Sequence, residues 1–190
     1  MMRRKDREMG IEFGLEVIDQ SQYGVVSMID EEGQPYGIPL SIVRDGHSLY
    51  FHSAKEGKKV EIFGKDPWVS VVFVGAVNVP EHFTNEELDA IAKDESKLAL
   101  LTSKVFTTEF ESAVVNGTVR RVEDEETKIK AMRLICQKYT PTKMPYFKMA
   151  IASGLKLTNV YQIEIREIKA KRKRYDKSGE EMKWGRMDVM

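Results

Sequence analysis

One cysteine, three histidines and no surplus of either charge set the first limits on this sequence of 190 residues. Cys136, alone, cannot build an intramolecular disulfide framework, and its thiol fits a reducing compartment. His47, His52 and His82 follow no H-x-x-x-H or paired-cysteine spacing, so no metal site is expected. Basic and acidic residues balance at 30 each, leaving no net field to favour nucleic acid or an anionic membrane. No apolar run is long enough to span a bilayer, and the longest, residues 68–79, is broken by Ser70, Gly75 and Asn78. The opening MMRRKDREMG lacks the apolar centre of a secretory signal. G-x-G-x-x-G, Walker and G-x-S-x-G patterns are also missing, which argues against Rossmann and P-loop nucleotide sites and the usual serine hydrolases. The expectation is a cytoplasmic chain forming one domain over residues 1–190, with a tail at 175–190.

What is present is mostly β-forming. After a short first helix carrying Ile11, Leu15 and Ile18 at helical spacing, residues 23–29 (YGVVSMI), 35–43 (PYGIPLSIV) and 49–53 read as a meander of three strands. Asp-Gly at 45–46 marks a hairpin, and Pro35 and Pro39 point to an edge or a kink. Residues 69–74 (VSVVFV) read as a strand buried on both faces. Residues 84–101 open with a Thr84/Glu87 capping pattern and suit one helix or two. Residues 106–122 form a long strand or a hairpin kinked at Gly117. Asp124 can cap a helix over 125–139, whose apolar stripe includes Cys136 as an inert thiol. Residues 160–168 alternate cleanly, and the basic run 169–174 continues that strand. About six antiparallel strands with two or three helices between them predict a mainly β fold: a small barrel with peripheral helices.

Residues 49–59, LYFHSAKEGKK, carry the chemistry. A strand ending in His52 and Ser53 meets a glycine turn, and Lys58 and Lys59 open a helix. Unpaired N–H groups at a helix start, small polar residues and two ammonium groups suit a phosphate or another small anion. Read alone, the same pattern also describes solvated surface.

Its neighbours sharpen it. FHSAKEGKKVEIFGKDPWVSVVFV resembles the phosphate-binding segment of the pyridoxamine 5′-phosphate oxidase-like flavoproteins. MRRKDREM is similar to the opening of their 5-nitroimidazole-resistance (Nim-type) branch. TTEFESAVVNGTVRRVEDEETKIKAMRLICQKY is similar to that branch's second characteristic region, ending in a tyrosine. The resemblance implies a six-stranded antiparallel split β-barrel of the FMN-binding type, a homodimer with flavin mononucleotide at the subunit interface. By matching position, Lys58 and Lys59 would meet the flavin phosphate, and His52, Ser53 and Ala54 the phosphate and ribityl chain. Pro39, Leu40, Ser41 and Ile42 would run beside the isoalloxazine ring, and Ser112 would approach it from a later strand. Trp184 and Arg186 are loosely similar to a C-terminal pair that reaches the partner's flavin. Residues 77–105 are longer than the matching connection, a helical insertion.

Each position keeps an ordinary reading: Leu40 and Ile42 as core, His52 as an interior histidine, Ser112 as a strand polar residue. The implied activity is an FMN-dependent oxidoreductase taking hydride from NAD(P)H and reducing a small nitroaromatic acceptor. Alternatives are a pyridoxamine-phosphate-oxidase-like enzyme, or a non-enzymatic flavin- or haem-binding protein with His52 as axial ligand. No protein catalytic acid or base is assigned, because a flavin carries the chemistry itself.

Overall fold

Side-chain alternation along the strands and two apolar helices explain most of the architecture in the computed structural model, which describes residues 3–65 and 67–184. The elements in order are β1 (Glu8–Met9), α1 (Ile11–Gln20), β2 (Gly24–Ile29), β3 (Pro35–Leu40), β4 (Val43–Asp45) and β5 (Ser48–Ser53). Then come α2 (Lys58–Phe63), β6 (Trp68–Asn78), α3 (Asn85–Ala92), α4 (Leu98–Leu100), β7 (Glu109–Arg121), α5 (Glu125–Tyr139), α6 (Phe147–Gly154) and β8 (Asn159–Lys173).

All strands join one antiparallel sheet in the order β3-β2-β6-β7-β8-β5-β4, with β1 added against β8. The sheet curls until side chains from its two halves share a core: Val26 of β2 and Phe51 of β5 belong to one buried cluster. Two helices fill the interior. Helix α1 inserts Val17 and Ile18, and its Gly14 comes so near β8 that an added Cβ would lie 2.7 Å from Ile168 Cγ2. Helix α2 inserts Phe63, whose ring centroid lies 5.2 Å from that of Phe51 and 5.0 Å from that of Tyr161. Aromatic burial of this kind contributes several kcal/mol per ring, so the triad anchors α2 and the loop before it. Outside the sheet, Ala131 and Ile135 of α5 cover Tyr50 and Val160.

The expected class holds: mainly β, antiparallel, split-barrel in type, with peripheral helices. The strand count and the start of the meander differ from expectation. The sheet has eight strands rather than about six, because β1 is added and the segment 35–43 is two strands separated at Ser41 and Ile42. Strands β3 and β4 end up at opposite ends of the sheet, so β2-β3 and β4-β5 are separate hairpins and the barrel is open between them. Pro35 and Pro39 sit on the edge strand, where a missing N–H is tolerated.

Three further readings are corrected. Of the expected stripe, Ile18 is buried and Leu15 packs against the core, but Ile11 is 60% exposed and Gly14 and Val17 are buried in addition. Strand β6 is buried on one face only: Val69, Val71 and Phe73 point into the core, whereas Val74 is 50% exposed. Cys136, expected as a buried thiol on the apolar stripe of α5, is half-buried. Gly117 marks a β-bulge inside a single long strand, where a Cβ would stand 2.1 Å from the Glu164 carbonyl oxygen.

Residues 84–101 hold α3, with the complete Thr84/Glu87 capping box, then α4, which runs into a π-helical turn at Leu101–Val105. Tyr175 donates its hydroxyl to the Ser103 carbonyl at 2.7 Å, tying this region to the chain after β8. Among the described residues, no helix is long and apolar enough to cross a membrane.

Candidate functional site

Strand β5 forms the first part of the segment 49–59, and alternation separates its residues. Ser53 points inward beside Asn159, its partner across the β5–β8 ladder. Its hydroxyl donates to the Ala54 carbonyl at 2.6 Å and also reaches the Tyr161 phenol. Burial pushes the Tyr161 phenol up, so it stays protonated as a donor. His52 points the opposite way, next to Val160, and makes no hydrogen bond or ion pair among the described residues. His52 is exposed, which corrects its reading as an interior histidine, and partial desolvation by the protein beside it pushes the imidazole down from its ordinary value.

Gly57, with φ of 112°, turns the chain into α2. Only glycine adopts this backbone conformation without strain, and it lets Lys58 and Lys59 follow directly on the turn. Lys58 is exposed. Its Nζ lies 2.8 Å from Asp30 Oδ2 and 5.5 Å from the Tyr36 ring centroid, both on the β2–β3 hairpin. The Lys58 hydrogen bond holds the Asp30 carboxyl below the usual range, helped by backbone N–H donors from Gln34 and Glu32. Lys59 is half-buried. The donor set (two ammonium groups after a glycine turn) fits a phosphate monoester, although Asp30 occupies one of them.

The strand before this segment divides in the same way. Leu40 packs against the core and Ile42 is fully buried, so their ordinary reading describes the side chains. Pro39 pairs with Val25, Val25 with Val72, and Val72 with Val114, one continuous row on the outward face. Ser112 lies one row along on that face, between Val74 and Lys171. Pro39 and Ser112 thus share a partly covered, valine-rich surface, with Ser41 exposed beyond its edge. From Val25 to Asp30 the hairpin extends about 17 Å at strand rise. The Lys58 ammonium therefore marks one end of a long surface and Pro39 the other.

Tyr139, the tyrosine closing the second characteristic region, braces the Ile42 backbone. Its hydroxyl accepts from Ile42 N at 2.9 Å and donates to Ile42 O at 2.8 Å. Lys138 Nζ adds donors to Ile42 O and Ile18 O at 3.1 and 3.2 Å. These bonds hold the chain where it leaves β3 and crosses the barrel opening. Asp30 and Tyr139 were absent from the sequence-derived site. Each touches a site residue far away in the chain, and nothing local announces that contact. Trp184 is 70% exposed and its N–H donates to the Asp6 carbonyl at 3.1 Å; Arg186 lies outside the described residues.

Residues 14–172 match the family model described as pyridoxamine 5′-phosphate oxidase. Among solved structures, the chain is similar to a candidate 5-nitroimidazole antibiotic resistance protein from Bacteroides thetaiotaomicron. The identity is 21% with a TM-score of 0.62, over 87% of this chain and 86% of that one. It is also similar to a flavocytochrome from Azotobacter vinelandii, with 15% identity and a TM-score of 0.68 over 94% and 77% of the two chains. A third is an FAD- and haem-binding protein from Mycobacterium smegmatis, with 14% identity and a TM-score of 0.67 over 88% and 73%. At these identities the likenesses are of fold. No curated protein sequence matches the chain.

Proposed function

The chain belongs to the pyridoxamine 5′-phosphate oxidase family, and on that premise we propose that it is an FMN-dependent oxidoreductase working as a homodimer. The observation that carries this reading is the long surface with the Lys58 ammonium at one end, held at Asp30, and Pro39 and Ser112 at the other, with Lys59 next to Lys58 in the chain. A phosphate at the lysines and a flat ring along Pro39 would use both ends. Lys58 and Lys59 bind and orient the phosphate. Ser53 and Ala54 shape the turn beside it, while Ser41 and the braced backbone at Ile42 fix the strand that flanks the ring. Bound flavin supplies the hydride and electron transfer. The half-exposed valines favour a second subunit over this face, since an uncovered apolar patch of a sheet is costly in water.

The electron donor in this reading is NAD(P)H and the acceptor a small nitroaromatic, in the cytoplasm. The proposal extends to the chain's layout: one domain over 1–190, with about 77–105 a helical insertion and 175–190 a C-terminal tail. The name of the Bacteroides relative supports the acceptor class. The test is an absorbance spectrum of the purified protein, followed by anaerobic NADH or NADPH and then a nitroimidazole. Flavin bands that bleach with the donor and return with the acceptor are expected. A colourless protein that takes up no FMN defeats the reading.

A second reading is non-enzymatic haem or flavin binding. It is favoured by the neutral, unpaired His52 imidazole, a competent axial ligand, and by relatives named for haem. A Soret band would select it.

A further inference from the structure

Beyond the end of β5, four cations from four separate parts of the chain line one cleft. Lys55 follows β5, Arg121 ends β7, Lys128 stands on the first turns of α5, and Lys156 precedes β8. Together with Thr158 and Asn159 they line a cleft of about 260 Å³. Lys55, Lys128 and Lys156 make no contact ion pair among the described residues, whereas Arg121 meets Glu123 at 2.6 Å. Glu123 and Asp124, both held below the usual carboxylate range, also lie within the electrostatic reach of Lys128.

Like charges gathered in this way repel one another and weaken the fold, in a chain whose net charge is zero. The side chain of Asn159 is nearly buried in the cleft, with only a long contact of 3.4 Å from its amide to the Tyr161 hydroxyl. A cluster of ammonium groups around a mostly buried amide is the chemistry that recognises a phosphate or pyrophosphate.

We propose that the cleft of Lys55, Arg121, Lys128 and Lys156 is an anion site for a phosphate or pyrophosphate group, separate from the lysines assigned to the flavin. Its geometry does not depend on the flavin reading. The group comes either free or carried on a nucleotide, such as the donor of a redox reaction.

The experiment is calorimetric titration of the full chain with inorganic pyrophosphate at low ionic strength, with and without saturating FMN. Saturable binding is expected in both cases. Lys55→Gln and Lys156→Gln should each weaken it about tenfold, while Lys55→Arg and Lys156→Arg retain it. Circular dichroism checks that the variants fold. Competition by ADP identifies a nucleotide-borne group, and its absence a free one; either agrees with the site. Gln variants that bind pyrophosphate as tightly as the parent overturn the proposal. So does displacement of pyrophosphate by FMN, because the cleft would then be part of the flavin's own site. Pyrophosphate binding in a chain that takes up no FMN would defeat the flavin reading and leave this one standing.

Discussion

Lys58 Nζ and Asp30 Oδ2 are 2.8 Å apart, so the lysine assigned to the flavin phosphate already holds a carboxylate. Only the lysine of this pair is exposed, so solvent screens the attraction in part, and a phosphate must displace the carboxylate partner. Asp30→Asn keeps the acceptor for the Glu32 and Gln34 N–H groups but releases the lysine. FMN should then bind roughly two- to fivefold more tightly in a fluorescence titration. Because Lys58 lowers the Asp30 pKa, the pair stays intact at neutral pH and opens only as pH falls through that depressed value. The gain should therefore be constant between about pH 6 and 8. Weaker binding in Asp30→Asn would remove Lys58 from the site.

His52 supplies a pH signature. Partial desolvation beside this exposed ring lowers its pKa, so the fold favours the neutral form. A base depressed in this way leaves stability undiminished above its unfolded value, about 6.5, and costs stability as pH falls below that. An NMR titration of the ring should give a midpoint below 6.5. His52→Gln should lose less stability than the parent between about pH 7 and 5 in urea unfolding. A midpoint above 6.5 would contradict the packing described for this ring.

Tyr139→Phe removes both hydrogen bonds to Ile42, and Lys138 can replace only the one to the carbonyl. The Ile42 N–H is left unpaired at a fully buried residue. A loss of about 1–3 kcal/mol in urea unfolding is expected. FMN affinity should also fall, since the braced strand flanks the ring. Full stability in Tyr139→Phe would mean that water takes the place of the hydroxyl.

Gly117→Ala would put a methyl group against backbone, 2.1 Å from Glu164 O, where no side-chain rotation gives relief. The bulge has to open, at about 1–3 kcal/mol or more, seen as a lower thermal midpoint. A neutral result would show that the bulge yields easily.

These residues also show what could be read before the structure. The Asp124 cap was legible because its partner, the Thr127 N–H at 2.8 Å, is three residues away. So was the edge character of β3, which two prolines announce. The division of residues 35–43 was hidden: PYGIPLSIV is β-forming throughout, and only tertiary pairing sends Pro39 to one end of the sheet and Val43 to the other. Strand β6 looked doubly buried because the sequence records valine but not what covers it. Lys58 was found through its glycine turn and its neighbours, while Asp30 read only as a turn residue. The cationic cleft was invisible, since its four members lie on four separated segments.

The central claim is that Lys58 and Lys59 hold the phosphate of a bound flavin, and an FMN titration tests it most directly. The account predicts saturable binding of one FMN per chain. Lys58→Ala combined with Lys59→Ala should weaken it by about tenfold or more, with an unchanged circular dichroism spectrum. No FMN binding by the parent chain, or equal affinity in the double variant, would contradict it.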